Sequence, residues 1–143
     1  NEEKMVRRRA EITKPQIRSE LVFFKIDVGS VESLTFFKDL LLHLGFKITF
    51  ELDHQIHFTN GQMGVVVHHC FHVSGSGIYV LDTGINTLFF KVDSRKKVDE
   101  FNEKFLKVRR IPITTNDGEI SEEGKYSIFF KTPERITVGI ISD

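Results

Sequence analysis

Phe23-Phe24-Lys25-Ile26-Asp27 is written a second time in the chain, as Phe89-Phe90-Lys91-Val92-Asp93, and that repetition decides the fold. Each copy is followed by an amphipathic helical pattern. Leu34, Phe37, Leu41 and Leu44 follow the first copy, and Val98, Phe101, Phe105 and Val108 follow the second, both at spacing i, i+3, i+7, i+10. That spacing lays one apolar stripe along a helix. A strand feeding such a helix is one supersecondary unit, and its recurrence points to two copies of one module.

Working outward from the first copy, the residues from Leu21 to Val28 read as a strand. Ser30 is placed to cap a helix with Glu32 in its first turn, and Gly45 is placed to end it. A strand from Phe46 to Leu52, a second around Ile56-His57-Phe58 and a third from Val65 to Phe71 follow. Asn60-Gly61 has the composition of a two-residue hairpin turn between the last two. Around the second copy, a strand over 86–92 leads to a helix capped by Ser94 or Asp93 and reaching about Val108. A short strand over 111–115, a turn at Asn116-Asp117-Gly118 and a hairpin of Tyr126–Lys131 with 136–141 close the chain. The expected order is βαβββ twice, an α+β fold, with modules at about 21–71 and 86–142. Residues 72–85 are glycine-rich and read as the linker, including Gly75-Ser76-Gly77. Residues 1–20 read as a charged tail.

Composition narrows the function classes. The chain has 143 residues, with 20 Lys+Arg against 20 Asp+Glu. That is one domain, large enough to bury a core, with no net field drawing it to nucleic acid or an anionic membrane. Arg7-Arg8-Arg9 in the tail reads as solvated charge. No apolar run approaches the roughly 20 residues that span a bilayer. One cysteine excludes an intrachain disulfide and suits a reducing, cytoplasmic setting. Phenylalanine is the outlier, with 14 Phe against 2 Tyr and no Trp, enough rings to line a cavity as well as fill a core.

The element order and three stretches resemble the vicinal oxygen chelate superfamily of glyoxalases, bleomycin-resistance proteins and extradiol dioxygenases. Ser33-Leu34-Thr35-Phe36-Phe37 with Leu44-Gly45-Phe46 is similar to the family's first helix. Leu88-Phe89-Phe90-Lys91-Val92-Asp93 is similar to its fifth strand. Lys125-Tyr126-Ser127-Ile128-Phe129-Phe130-Lys131-Thr132-Pro133 is similar to its aromatic strand and following turn, with Thr132 where the family has Asp. The resemblance implies paired half-barrels, each cupping a cavity with helices outside. It also implies divalent-metal positions at Leu21 (or Val22, counted from Ser33), Thr87 and Gly139 and near Val66, with His68 one same-face step away. Leu, Thr and Gly cannot ligate such an ion, so a cofactor-free, metal-free member is the expectation.

Face alternation then puts Leu21, Phe23, Lys25, Thr87, Phe89 and Lys91 in the cups and Val22, Phe24, Ile26, Leu88, Phe90 and Val92 under the helices. Aromatic faces beside a lysine suit a flat or anionic small molecule. The expected ligand-binding set is Leu21, Phe23, Lys25, His68, Thr87, Phe89, Lys91, Thr137 and Gly139, in a homodimer. The rival reading is a metal-dependent lyase, isomerase or dioxygenase recruiting His68, His72, His57 or Glu51. His68, Cys70 and His72 share a strand face, but same-face neighbours stand about 7 Å apart, too far for one ion unless the chain bends. A third reading is an interaction module whose cups are packed shut by phenylalanine.

Overall fold

The computed structural model describes residues 17–70, 87–114 and 125–143. The arm over 1–16, the linker at 72–85, the Asn116-Asp117-Gly118 turn and His72 therefore lie outside the described residues. The first module runs β1 (Phe23–Val28), α1 (Val31–His43), β2 (Lys47–Leu52), β3 (Gln55–Thr59) and β4 (Gly64–His69). The second runs β5 (Thr87–Lys91), α2 (Arg95–Phe101) with a π-helical turn Asn102–Leu106, β6 (Tyr126–Lys131) and β7 (Thr137–Ser142). The result is an α+β fold with two small open sheets, ordered β1-β4-β3-β2 and β5-β7-β6. In each, the repeated strand lies parallel to the module's last strand. The cups are open sheet faces and not closed barrels.

The expected local signals set the helix ends. Ser30 is extended (φ −145°) and its hydroxyl accepts from the Ser33 amide, while Ser94 does the same for Lys97. Gly45 sits at φ +90°, a conformation glycine adopts without the strain a Cβ brings. The Asn60-Gly61 turn is wider than expected. Thr59 pairs with Gly64, so residues 60–63 form a four-residue loop. Asn60 Oδ1 accepts from the amides of Gln62 and Met63 at 2.9 and 2.8 Å, and the Asn60 amide donates to the Met63 carbonyl at 3.2 Å, so side chain and backbone together close the loop.

The second helix departs from its sequence pattern. Val98, Phe101 and Phe105 are buried as the stripe requires, but Val108 is 71% exposed and Leu106 is buried instead. The π turn is the reason. Lys107 donates to Asn102 five residues back, and the extra residue rotates everything after it. Arg110 then takes φ +58° and the helix stops. The strand expected over 111–115 is reduced, among the described residues, to one bridge between Thr114 and Phe129. Pro112 lacks the N–H that a longer ladder needs.

Aromatic side chains join the two modules. Phe36 of α1 meets Phe105 and Phe130 edge-on, with centroids 6.0 and 6.5 Å apart, and Phe46 meets Phe90 at 6.2 Å. Phe101 stacks on Phe105 at 5.0 Å. Arg109 lies 3.8 Å from the Phe105 ring and its guanidinium reaches Asp39 of α1 at 3.8 Å. Buried Glu134, in the turn after β6, accepts from the Gly29 amide at 2.6 Å, tying the end of β1 to the second module. One buried cluster spans both modules.

Two outcomes test this joint. Phe105→Ala, which empties a fully buried site between the helices, lowers unfolding free energy by about 3–5 kcal/mol, measured by urea melts. His43, at the end of α1, packs its ring 5.5 Å from Phe101 and 5.1 Å from Phe105. Burial, and then the Arg109 charge, hold its pKa below the ordinary value. The unfolded chain therefore takes up this proton first. Stability is whole above the ordinary imidazole pKa of about 6.5 and falls as the pH drops below it. In His43→Phe that part of the pH dependence disappears from the melting curve; unchanged dependence would refute the assignment.

Candidate functional site

Strand pairing fixes which residues share the open faces. On the first sheet Phe23 lies opposite Gly64, Lys25 opposite Val66 and Asp27 opposite His68. On the second, Thr87 lies opposite Thr137, Phe89 opposite Gly139 and Lys91 opposite Ile141. The expected division of faces holds except at Val22, expected under the helices, which precedes β1 and is 56% exposed. Phe23 and Phe89 are 58% and 40% exposed, whereas Phe24, Ile26, Leu88, Phe90 and Val92 pack on the core. The same registers show that Gly139 answers to Gly64 and Val66 to Ile141, so Val66 and Gly139 are not counterparts in the repeat.

The phenylalanine and its glycine form a repeated device. A Cβ on Gly64 would stand 3.1 Å from the Phe23 Cβ. One on Gly139 would stand 2.8 Å from the Phe129 ring and 2.9 Å from the Phe89 ring. Glycine is what lets the ring lie against the sheet. On the second sheet Phe89 and Phe129 meet edge-on over it at 5.7 Å, filling that part of the face.

The expected site residues do not converge on one cavity. A cleft of about 420 Å³ on the first sheet is lined by Phe23, Thr49, His57, Thr59, Met63 and Val66, among others. A larger cleft of about 600 Å³ runs between the modules. It brings together Leu21, Thr87, Phe89 and Lys91 from the expected set, with Phe24, Phe46, Met63 and Phe90. Sequence reasoning missed Phe24, Phe46 and Phe90 there, because they belong to the helix-facing side and reach the cleft only where the two sheets part. Thr137 and Gly139 lie on the second open face, and Lys131 Nζ donates to the Thr137 hydroxyl at 2.5 Å.

Both lysines that face outward from the repeated strand are engaged. Lys25 Nζ is 3.3 Å from Asp27 Oδ1, and His68 Nδ1 lies 3.3 Å from the same oxygen. The His54 ring meets His68 edge-on at 5.8 Å. Lys91 pairs with Asp143. His57 is held by Gln55 at 2.6 Å and abuts Phe50. His69 lies on the other face and is buried, and Cys70 is half-buried.

Glu51 does not join these groups. A bulge between Ile48 and Phe50 shifts the alternation of β2, so Glu51 turns to the helix side and pairs with Lys38 of α1 at 2.7 Å. An insertion of one residue reverses the faces beyond it. Among the described residues, no three His, Cys, Asp or Glu side chains are grouped so as to hold a metal ion.

No family model matches the sequence, and no curated protein matches it significantly. Solved structures do. The chain is similar to a candidate glyoxalase from Bacillus halodurans at 28% identity, covering 88% of this chain and 97% of that one, with a TM-score of 0.76. It is also similar in fold to lactoylglutathione lyase from Agrobacterium tumefaciens, at 17% identity over 90% and 96% of the two chains, TM-score 0.62. The fosfomycin resistance protein FosX from Listeria monocytogenes matches at 16% identity over 89% and 93%, TM-score 0.62. Two modules, each with its first strand parallel to its last and joined through their helices, give this chain the fold of the vicinal oxygen chelate superfamily.

Proposed function

We propose that the protein binds a small, flat organic molecule bearing an acidic group in the cleft between its modules, and that it does so without a metal. The cleft carries this reading. Its volume of about 600 Å³ falls within the roughly 300–1,000 Å³ of small-molecule sites. Its lining of Phe24, Phe46, Phe89, Phe90 and Met63 offers ring faces and a thioether, with Lys91 as the cation and Asn60 and Gln62 as amide partners. Aromatic walls with few polar groups select by shape and stacking. The residues at the superfamily's metal positions support the metal-free part, since Leu21, Thr87 and Gly139 do not fit a divalent ion. A protein of this kind works by sequestering its ligand, as bleomycin-resistance proteins do.

A second copy of the chain completes the assembly in this proposal. Leu21, Val22 and Phe23 are more than half exposed at the free edge of β1, and covering them in a homodimer removes apolar surface from water. No helix among the described residues is long and apolar enough to cross a membrane, and the single cysteine is unpaired, in keeping with work in the cytoplasm.

A thermal-shift screen of flat aromatic compounds is the direct test. At least one acidic compound raises the melting temperature, and Phe89→Ala weakens its binding about tenfold, the loss of one ring contact at about 1.4 kcal/mol. Near-stoichiometric divalent metal in protein purified without a histidine tag, and lost from His68→Ala, would overturn the metal-free reading.

A further inference from the structure

The cation that the cleft offers is already occupied by the chain itself. Asp143 follows β7 directly and shares the face of Gly139 and Ile141. Its Oδ2 lies 3.2 Å from Lys91 Nζ, and its Oδ1 pairs with the ammonium of Lys125. Arg95 Nε donates to its backbone oxygen at 3.4 Å. Each oxygen of one carboxylate thus takes its own ammonium group, one from the end of β5 and one from the residue just before β6. Such shared-out, charge-assisted contacts recognise a carboxylate as a shape as well as a charge.

Two features separate this pair from an ordinary surface contact. Lys91 also lines the intermodule cleft, next to Phe89 and Phe90, so the cation stands beside ring faces. Its pseudo-equivalent, Lys25, is neutralised by a residue of its own strand, Asp27, whereas Lys91 reaches across to the end of β7. The pair is also easily opened, because Lys91 and Asp143 are 66% and 69% exposed and water competes well for exposed ions. The two lysines hold the Asp143 carboxyl below its usual range, so it stays ionised at neutral pH.

We propose that Lys91, which lines the intermodule cleft, and Lys125 beside it form a carboxylate-recognition site, and that the Asp143 side chain is a built-in occupant which an arylcarboxylate displaces. The inference rests on the cleft being the ligand site. It adds the ligand's chemical class and a competitive gate: the acid enters as Asp143 leaves, and its ring lies against Phe89.

Benzoate and its neutral analogue benzamide, titrated at constant ionic strength and followed by backbone amide shifts, test both layers. Asp143→Asn tightens benzoate binding at least tenfold over the unmodified protein and leaves benzamide binding unchanged. Adding Lys91→Met to Asp143→Asn removes that gain. Equal benzoate affinity in the unmodified protein and Asp143→Asn would overturn the gate while benzamide still reports the cleft. Equal tightening of both compounds would overturn it too, since the gain would then come from space and not charge. If neither compound moves the amides of Leu88, Phe89 and Val92 in any form, the cleft reading falls and the gate with it.

Discussion

The contact of Phe36 with Phe105 and Phe130 is the constraint on which the arrangement of the molecule depends. Among the described residues the two sheets share no strand pairing, so backbone hydrogen bonds do not set how one module sits against the other. Side chains do. Edge-to-face rings contribute about 0.5–1.5 kcal/mol each beyond the area they bury, and their geometry allows few relative orientations. The Glu134–Gly29 hydrogen bond and the Arg109–Asp39 pair add direction to that packing. Burial of Glu134 makes its one amide partner important, because an unpaired buried carboxylate is costly.

The same constraint creates the cleft. Had the sheets met edge to edge by hydrogen bonding, β5 would have no free edge for Leu88, Phe89 and Phe90 to present. Because the modules meet through their helices instead, a gap remains between β1 and β5, and rings from both sides line it. The two open faces have diverged from there. Over Gly139 the rings of Phe89 and Phe129 cover the second sheet. Over Gly64 only Phe23 does so, and the face beyond it carries Lys25, Asp27, His68 and His57. A chain built from one module twice has thus come to cover its two strand glycines differently.

Much of this was legible in advance. The repeated pentapeptide announced the two modules, the serine caps marked both helix starts, and alternation assigned Phe23, Lys25, Phe89 and Lys91 to the open faces. Two departures share one physical cause, a single extra residue in a regular element. The bulge in β2 carried Glu51 to the helix side. The π turn carried Val108 out and Leu106 in. The wider loop at 60–63 is a separate case, in which the Asn60 side chain accepts from the Gln62 and Met63 amides beside a backbone bond from Asn60 to Met63. Periodicity assumes a constant repeat, so it fails beyond an insertion that local propensity does not reveal.

What the amino-acid order determined by itself is the set of elements, their faces and the doubling of the module, because these follow from short-range periodicity and from residues such as Ser30 and Gly45 whose conformational preferences act locally. Only the tertiary structure decided which of the outward-facing residues meet. Leu21, Thr87, Phe89 and Lys91 share a cleft with the helix-facing Phe24, Phe46 and Phe90, whereas Phe23 lies in another. Asp143 closes on Lys91 across the sheet. Those meetings depend on where two modules come to rest against each other, and that is settled by the packing of rings distant in the chain.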